Sequence, residues 1–230
     1  MVINLKTLSF LKQNKIAHRG VHEKYQENTL LAIKEAIKRN YTVELDIRMT
    51  LDQQLIVYHD DTLKRIYHVN QKVSQLTRED LKKYPDIPYL KDVLTFVSGR
   101  VPILLEIKWD RRMRILTQKL IKELALYSYP YAIMSFYLFP LFLLRKECKM
   151  YPLGLLLNRF LPHYFSLHFL LRLNLLSLDF LAVDLNLLQD AFILKLRKKY
   201  LILGYTIQTY SEYSFYREYA DNFIWDAFKA

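Results

Sequence analysis

Four glycines in 230 residues is a small allowance for a chain of this length. With so few positions where a positive φ is free of cost, tight turns fall to Asn, Asp and Gln, and Asn40 and Asp52-Gln53 are the expected sites. A single cysteine, Cys148, excludes an internal disulfide and argues against a cysteine-built zinc site. Met1 to Lys15 lacks the apolar core of a signal peptide, because Lys6 and Lys12 interrupt it. Long hydrophobic runs are missing too. The greasiest stretch, Leu153 to Val183, is cut by Arg159, Pro162, Arg172 and Asp179 into pieces of about a dozen residues or fewer, too short to span a bilayer. It reads as buried strand and helix, and the chain as a cytoplasmic protein.

What is present suits one large domain over residues 1–230. Hydrophobic residues make up 52% of the chain, enough for a full core, and the 25% of charged residues is ordinary. The net charge of +11 calls for an anionic partner: nucleic acid, an anionic membrane or a phosphate-bearing small molecule. The basic residues are dispersed, and neither an RNA-binding aromatic signature nor a basic helix with heptads occurs, so nucleic acid is not expected. Lys195, Arg197, Lys198 and Lys199 form the densest cluster, which reads as the solvated end of a helix. A phosphate-bearing small substrate, with transient contact at a membrane surface, is left as the expected partner.

Short apolar runs alternate with longer helical stretches. Strands are expected at Lys15–His18, Thr42–Ile47, Val101–Ile107, Tyr131–Phe136, Tyr151–Leu156, Phe180–Leu185, Leu201–Ile207 and Asn222–Asp226. Leu30, Ile33, Ala36 and Ile37 form one helical stripe, capped by Asn28 or Thr29, and Leu116, Leu120, Ile121 and Leu124 form another. Eight such repeats define an α/β fold, a distorted TIM-type (β/α)8 barrel. A doubly wound open sheet is the runner-up, but its usual Gly-rich first turn is absent. One run breaks the pattern. Leu55–Tyr58 follows Glu44–Arg48 too closely for a parallel crossover, so it must return as an antiparallel hairpin strand. That return brings His59 to the level of Glu44 and Asp46. Leu63 to Asp92 is then a loop-rich insertion with a short helix near Arg78–Lys83.

Glu44 and Asp46 alternate with Val43, Leu45 and Ile47, so both carboxylates share one strand face and point into the barrel. Alone, they could be neutralised by Arg19, Arg48 or Lys108. Glu106 ends another apolar run at the same level, and three carboxylates together point to a hard divalent cation, Mg²⁺ or Ca²⁺. His18 ends the first strand and His59 the hairpin. Two imidazoles beside a metal site serve economically as general acid and general base about a phosphorus. Arg19 and Lys108 supply cations for a phosphodiester. His22 is a candidate rim residue, while His68, His163 and His168 read as structural or exposed.

The motifs His18-Arg19-Gly20, Glu27-Asn28-Thr29, Glu44-Leu45-Asp46, Thr50-Leu51-Asp52, His59-Asp60-Asp61-Thr62-Leu63 with Arg65, Ile87-Pro88 with Leu90, and Glu106-Ile107-Lys108 together resemble the glycerophosphodiester phosphodiesterase family. Weaker echoes follow at Ser135-Phe136, Leu153-Gly154, Tyr205-Thr206 and Ala220 to Asp226. The resemblance implies a divalent metal on Glu44, Asp46 and Glu106, acid-base catalysis by His18 and His59, phosphate binding by Arg19 and Lys108, and attack by a glycerol hydroxyl through a cyclic phosphate. Tyr205 stands where the family usually has Trp and is expected to wall the substrate pocket.

Two other readings use the same residues. A lysophospholipid or a lipid- or teichoic-type polymer could be the substrate, given the aromatic segments Tyr129–Phe142, Phe160–Leu171 and Tyr210–Tyr219, although most of those residues are expected on buried helix faces. A non-enzymatic peripheral membrane or anion-binding protein is the alternative from another class.

Overall fold

The alternation in Thr42–Met49 and Ile103–Ile107 decides which way the sheet faces. Val43, Leu45, Ile47, Ile103, Leu105 and Ile107 join the large apolar cluster between sheet and helices, whereas Glu44, Asp46, Leu104 and Glu106 face inward. The computed structural model describes residues 8–147, 149, 151–159 and 175–226. Cys148 and the whole of Phe160–Leu171, His163 and His168 included, lie outside the described residues.

Among the described residues nine strands follow in chain order: β1 (Ile16–Ala17), β2 (Thr42–Met49), β3 (Leu55–Val57), β4 (Ile103–Ile107), β5 (Tyr131–Ser135), β6 (Leu153–Leu157), β7 (Phe180–Asp184), β8 (Leu201–Ile207) and β9 (Asn222–Trp225). The sheet order is β1-β9-β8-β7-β6-β5-β4-β2-β3, and pairing of β1 with β2 closes it. Eight strands make a parallel TIM-type barrel wrapped by helices, and β3 is bonded to β2 outside the ring. No open doubly wound sheet is formed.

Turn chemistry follows the shortage of glycine. Asn40 and Gln53 both adopt positive φ, at 55° and 63°. In the β2–β3 turn the Thr50 hydroxyl donates to Asp52 Oδ1 at 2.6 Å, and the Gln53 N–H donates to the Thr50 carbonyl at 3.1 Å. The hairpin register pairs Ile47 with Val57, and the Tyr58 N–H donates to the Asp46 carbonyl at 2.9 Å. His59 therefore emerges one residue from the level of Asp46.

The insertion after β3 builds its own small core from Ile56, Tyr58, Leu63, Val73, Leu76, Leu81 and Ile87. It contains helices Lys64–Tyr67 and Arg78–Leu81, and the helix Leu90–Val97 starts inside the stretch expected to be loop. Helix Leu30–Lys38 is capped by Thr29, whose hydroxyl accepts from the Ala32 N–H at 3.3 Å. Phe10 and Leu11, from the helix Ser9–Gln13, join Leu104, Met134, Phe180 and Leu203 inside the barrel. This apolar fill leaves the carboxylate end for polar groups. Gly154 faces the same interior, where a Cβ would lie 2.2 Å from the Phe180 ring.

Two expectations about burial are corrected. No residue of the helix Tyr210–Tyr216 is fully buried. The helix Leu138–Glu147 buries Pro140, Leu141, Leu143 and Leu144 but leaves Phe139 and Phe142 exposed. Neither departure is surprising on physical grounds, because tyrosine-rich or uniformly apolar segments carry no period that separates an inner from an outer face. No helix among the described residues is long and apolar enough to cross a membrane.

Candidate active site

His18 follows β1 and Asp226 follows β9, adjacent strands of the closed ring. The His18 N–H donates to the Trp225 carbonyl at 2.9 Å, and His18 Nδ1 lies 3.1 Å from Asp226 Oδ1. His22 Nε2 reaches the same oxygen at 3.1 Å. Burial lowers the His18 pKa, with the Asp226 hydrogen bond pulling the other way and the Arg19 charge adding to the decrease. Asp226 is held far below the usual carboxylate range by its two imidazole partners.

Arg19 takes a left-handed backbone, φ 54°, just before Gly20 at φ 80°. A Cβ on Gly20 would stand 2.8 Å from the Ala32 backbone, so only glycine fits there. This bend turns the Arg19 N–H onto Glu44 Oε2 at 3.0 Å. Its guanidinium meets Asp46 Oδ2 at 3.2 Å and Glu27 Oε1 at 2.9 Å. Asn28, also at positive φ, donates to Asp46 Oδ2 at 2.8 Å and accepts from the Asp46 N–H at 3.3 Å. With Thr29 serving as the helix cap, Asn28 is released to support the carboxylate.

Glu44, Asp46 and Glu106 are buried together, with one oxygen of each within 4.8 Å of the others. Register alone puts Asp46 beside Glu106 on neighbouring strands. Lys108 Nζ sits between them as an ion pair to Asp46 Oδ1 at 2.8 Å and to Glu106 Oε1. Arg19 and Lys108 therefore face three carboxylates, and Arg19 is shared with Glu27. Burial, then the charges of Asp46 and Glu106, push the Glu44 pKa well above normal. Burial also works against ionised Asp46, but Lys108 and Arg19 outweigh it and hold that pKa below the usual range. Glu44 Oε1 is buried with no hydrogen-bond partner, an expensive state for a carboxylate oxygen. An unsatisfied oxygen within an all-oxygen, negatively charged set fits a hard divalent cation.

His59 Nδ1 lies 2.6 Å from Asp60 Oδ1, and its carbonyl accepts from Arg48 Nε at 2.7 Å. Arg65 holds Asp60 at 2.6 Å and grips Glu27 through two nitrogens. A chain of charged contacts thus runs from His59 through Asp60, Arg65, Glu27 and Arg19 to Asp46. Burial lowers the His59 pKa; the Asp46 charge opposes this, and the Lys108 and Arg19 charges reinforce it.

His18, Arg19, Glu44, His59, Glu106 and Lys108 all line one cavity of about 150 Å³, and Asp46 lies buried beneath it. Tyr205 walls the opposite side against Phe136, at 6.1 Å between ring centroids, and its hydroxyl donates to the Leu157 carbonyl at 2.9 Å. Burial raises the phenol pKa, which keeps this group a neutral wall. His22 is tied to Asp226 rather than lining the cavity, and exposed His68 ends a short helix. Reading the sequence missed the parts of Asp226, Glu27, Asp60 and Arg65. All four stood inside quoted motifs without a role being read for them, and Asp226 lies 208 residues from its partner His18.

These groups define a TIM-type barrel whose acids, imidazoles and cations converge at one mouth, with an acidic set that could hold a metal ion. Comparison with known proteins gives the family. Residues 18–219 match the glycerophosphoryl diester phosphodiesterase family. A glycerophosphodiester phosphodiesterase of Bacillus altitudinis is 33% identical over 105 residues, covering 40% of this chain and 43% of the relative. The chain thus aligns with about two fifths of the length of that relative. The crystal structure of a glycerophosphodiester phosphodiesterase from Thermotoga maritima superposes with a TM-score of 0.78 at 29% identity, over 92% of this chain and 93% of that one. A phosphodiesterase from Oleispira antarctica, solved with the product sn-glycerol-3-phosphate, shares the fold with a TM-score of 0.82 at 21% identity, over 96% and 95%. The chain belongs to the glycerophosphoryl diester phosphodiesterase family.

Proposed function

We propose that this protein is a divalent-metal-dependent phosphodiesterase that splits glycerophosphodiesters into an alcohol and sn-glycerol 3-phosphate. The observation that carries this reading is the convergence of two imidazoles, two cations and the acidic cluster on one small cavity. Glu44, Asp46 and Glu106 would hold Mg²⁺ or Ca²⁺. An ion held there would supply Lewis acidity and positive charge to offset that of the phosphoryl group.

Arg19 and Lys108 hold the phosphate, with their present carboxylate partners keeping both side chains directed at the cavity. The glycerol hydroxyl next to the phosphate attacks phosphorus while one histidine takes its proton. The other histidine protonates the departing alcohol oxygen, leaving a cyclic phosphate. Water then opens the ring with the two proton roles exchanged. Asp226 orients His18 and Asp60 orients His59, as carboxylates orient catalytic imidazoles elsewhere. Tyr205 and Phe136 form an apolar wall against the part of the substrate away from phosphorus.

The test is a panel of glycerophosphocholine, glycerophosphoethanolamine and lysophospholipids, each with Mg²⁺ or Ca²⁺, products being identified by phosphorus NMR. Release of sn-glycerol 3-phosphate with the free alcohol is expected. Release of the phosphorylated alcohol and free glycerol instead would contradict the assigned bond cleavage. The exposed aromatic residues beside the mouth favour a second reading, in which the same cavity takes lysophospholipids.

A further inference from the structure

Trp109 directly follows Lys108, and Tyr137 directly follows the cavity residue Phe136, so both sit at the rim of the barrel mouth. Their rings touch, 4.9 Å between centroids. Trp109, Tyr137, Phe139 and Phe142 are 49%, 43%, 40% and 55% exposed, although single large aromatics of this kind normally hide much more of their surface. The helix that carries Phe139 and Phe142 runs Leu-Phe-Pro-Leu-Phe-Leu-Leu before its first charge at Arg145. A helix on the outside of a barrel ordinarily shows a polar outer face. This one turns phenylalanine outward at positions three apart, which lie on one face.

The flanks of this aromatic rim are basic. Arg114 lies 5.5 Å from the Phe139 ring centroid, and Arg111 is exposed beside Trp109. Across a groove of about 560 Å³ walled by Trp109 and Arg111 stands Lys72. Arg111, Arg114 and Lys72 form no ion pair with the described carboxylates, unlike Arg48 and Arg112 in the same region, which pair with Asp61 and Asp110. Two of the other exposed aromatics, Tyr210 and Phe215, share their helix with Glu212.

We propose that the rim formed by Trp109, Tyr137, Phe139 and Phe142 docks the protein on an anionic phospholipid surface. Aromatic rings with polar edges settle at the headgroup level, phenylalanine enters the acyl boundary, and flanking cations pair with anionic lipid. Charge complementarity selects a bilayer over a second copy of the chain, because self-pairing would bring Arg111 and Arg114 against like charges. Resting on the phosphodiesterase reading of the cavity, the docked orientation faces the mouth toward the bilayer, so that lipid-borne phosphodiesters reach His18 and His59 without crossing bulk water.

The experiment is co-sedimentation of the full chain with phosphatidylglycerol–phosphatidylcholine vesicles and with pure phosphatidylcholine vesicles. Wild type and the F139S/F142S variant are compared, with turnover of glycerophosphocholine and a thermal melt followed in parallel. Binding about ten-fold or more tighter to the anionic vesicles is expected, weakening with salt, and lost in the variant while its melt and soluble turnover match wild type. Vesicle binding by wild type that depends on the rim, with no turnover of any diester, would uphold the surface and remove the catalytic reading. Absence of binding to anionic vesicles would overturn the proposal. So would unchanged binding by the variant, or a wild-type dimer that becomes monomeric on F139S/F142S substitution.

Discussion

Arg65 grips Glu27 with both ends of its guanidinium, Nη1 to Oε2 at 2.9 Å and Nη2 to Oε1 at 2.5 Å, while its Nε holds Asp60 at 2.6 Å. It thereby ties the carboxylate that orients His59 to the one that steadies Arg19. Lysine offers a point charge rather than a planar fork, so Arg65→Lys should lower kcat/KM by about 10- to 100-fold with little change in melting temperature. Paired with Glu27→Gln in a double-mutant cycle, the losses should fall short of additive, because both act through one contact. Full additivity would show that the two residues act separately.

Asp226→Asn keeps an acceptor oxygen beside His18 but removes the carboxylate charge that fixes its tautomer and orientation, and leaves the fold in place. The expected result is a fall in kcat of about a hundred-fold with KM nearly unchanged, since only the orientation of a proton-transfer group is lost. Steady-state kinetics on a soluble diester checks this, and an equal rise in KM would instead assign Asp226 to substrate binding.

The pairing of His22 with Asp226 makes stability depend on pH. The hydrogen bond to Asp226 raises the His22 pKa above 6.5, with burial opposing it. A raised histidine contributes fully below its unfolded pKa and loses that contribution as pH rises through its folded value. Asp226 is depressed, so its contribution holds above the unfolded carboxylate pKa and is lost only as pH falls through the folded one, in strong acid. His22→Gln should therefore lower the melting temperature more at about pH 5.5 than at about pH 8.5. His18, common to both proteins, largely drops out of that difference. An equal effect at both pH values would mean that the pair holds no charge.

Much of this was legible in the chain because strand periodicity is strict. Once Val43, Leu45 and Ile47 were assigned to the helix-facing side, Glu44 and Asp46 had to enter the barrel. The short link between β2 and β3 likewise forced a hairpin and brought His59 back. The expected eight-strand count of the ring holds, with no strand end shifted by more than two residues. Asp226 was harder to see, because contact with His18 arises only when the ring closes between β9 and β1. Most residues of Tyr129–Phe142 were expected on buried faces, and the exposure of Phe139 and Phe142 was hidden because an apolar run without polar residues gives no sign of which side meets water.

Gly154 in β6 has no room for a methyl group, its Cβ position lying 2.2 Å from a ring atom of buried Phe180. Gly154→Ala should cost about 1–3 kcal/mol through overpacking of the barrel interior. Thermal or denaturant unfolding measures this, and a neutral result would mean that the Phe180 ring can move aside.

The charge balance around Glu44 favours a metal site over a network of ion pairs: three buried carboxylates face Arg19 and Lys108, and Glu44 Oε1 has no hydrogen-bond partner. The direct test is release of sn-glycerol 3-phosphate from glycerophosphocholine before chelation, after it, and after Mg²⁺ or Ca²⁺ is returned, in wild type and Glu44→Gln. Chelation should abolish turnover, the returned ion should restore it in wild type, and Glu44→Gln should stay inactive or need far more metal. Undiminished turnover by the chelated wild-type protein would contradict the assignment.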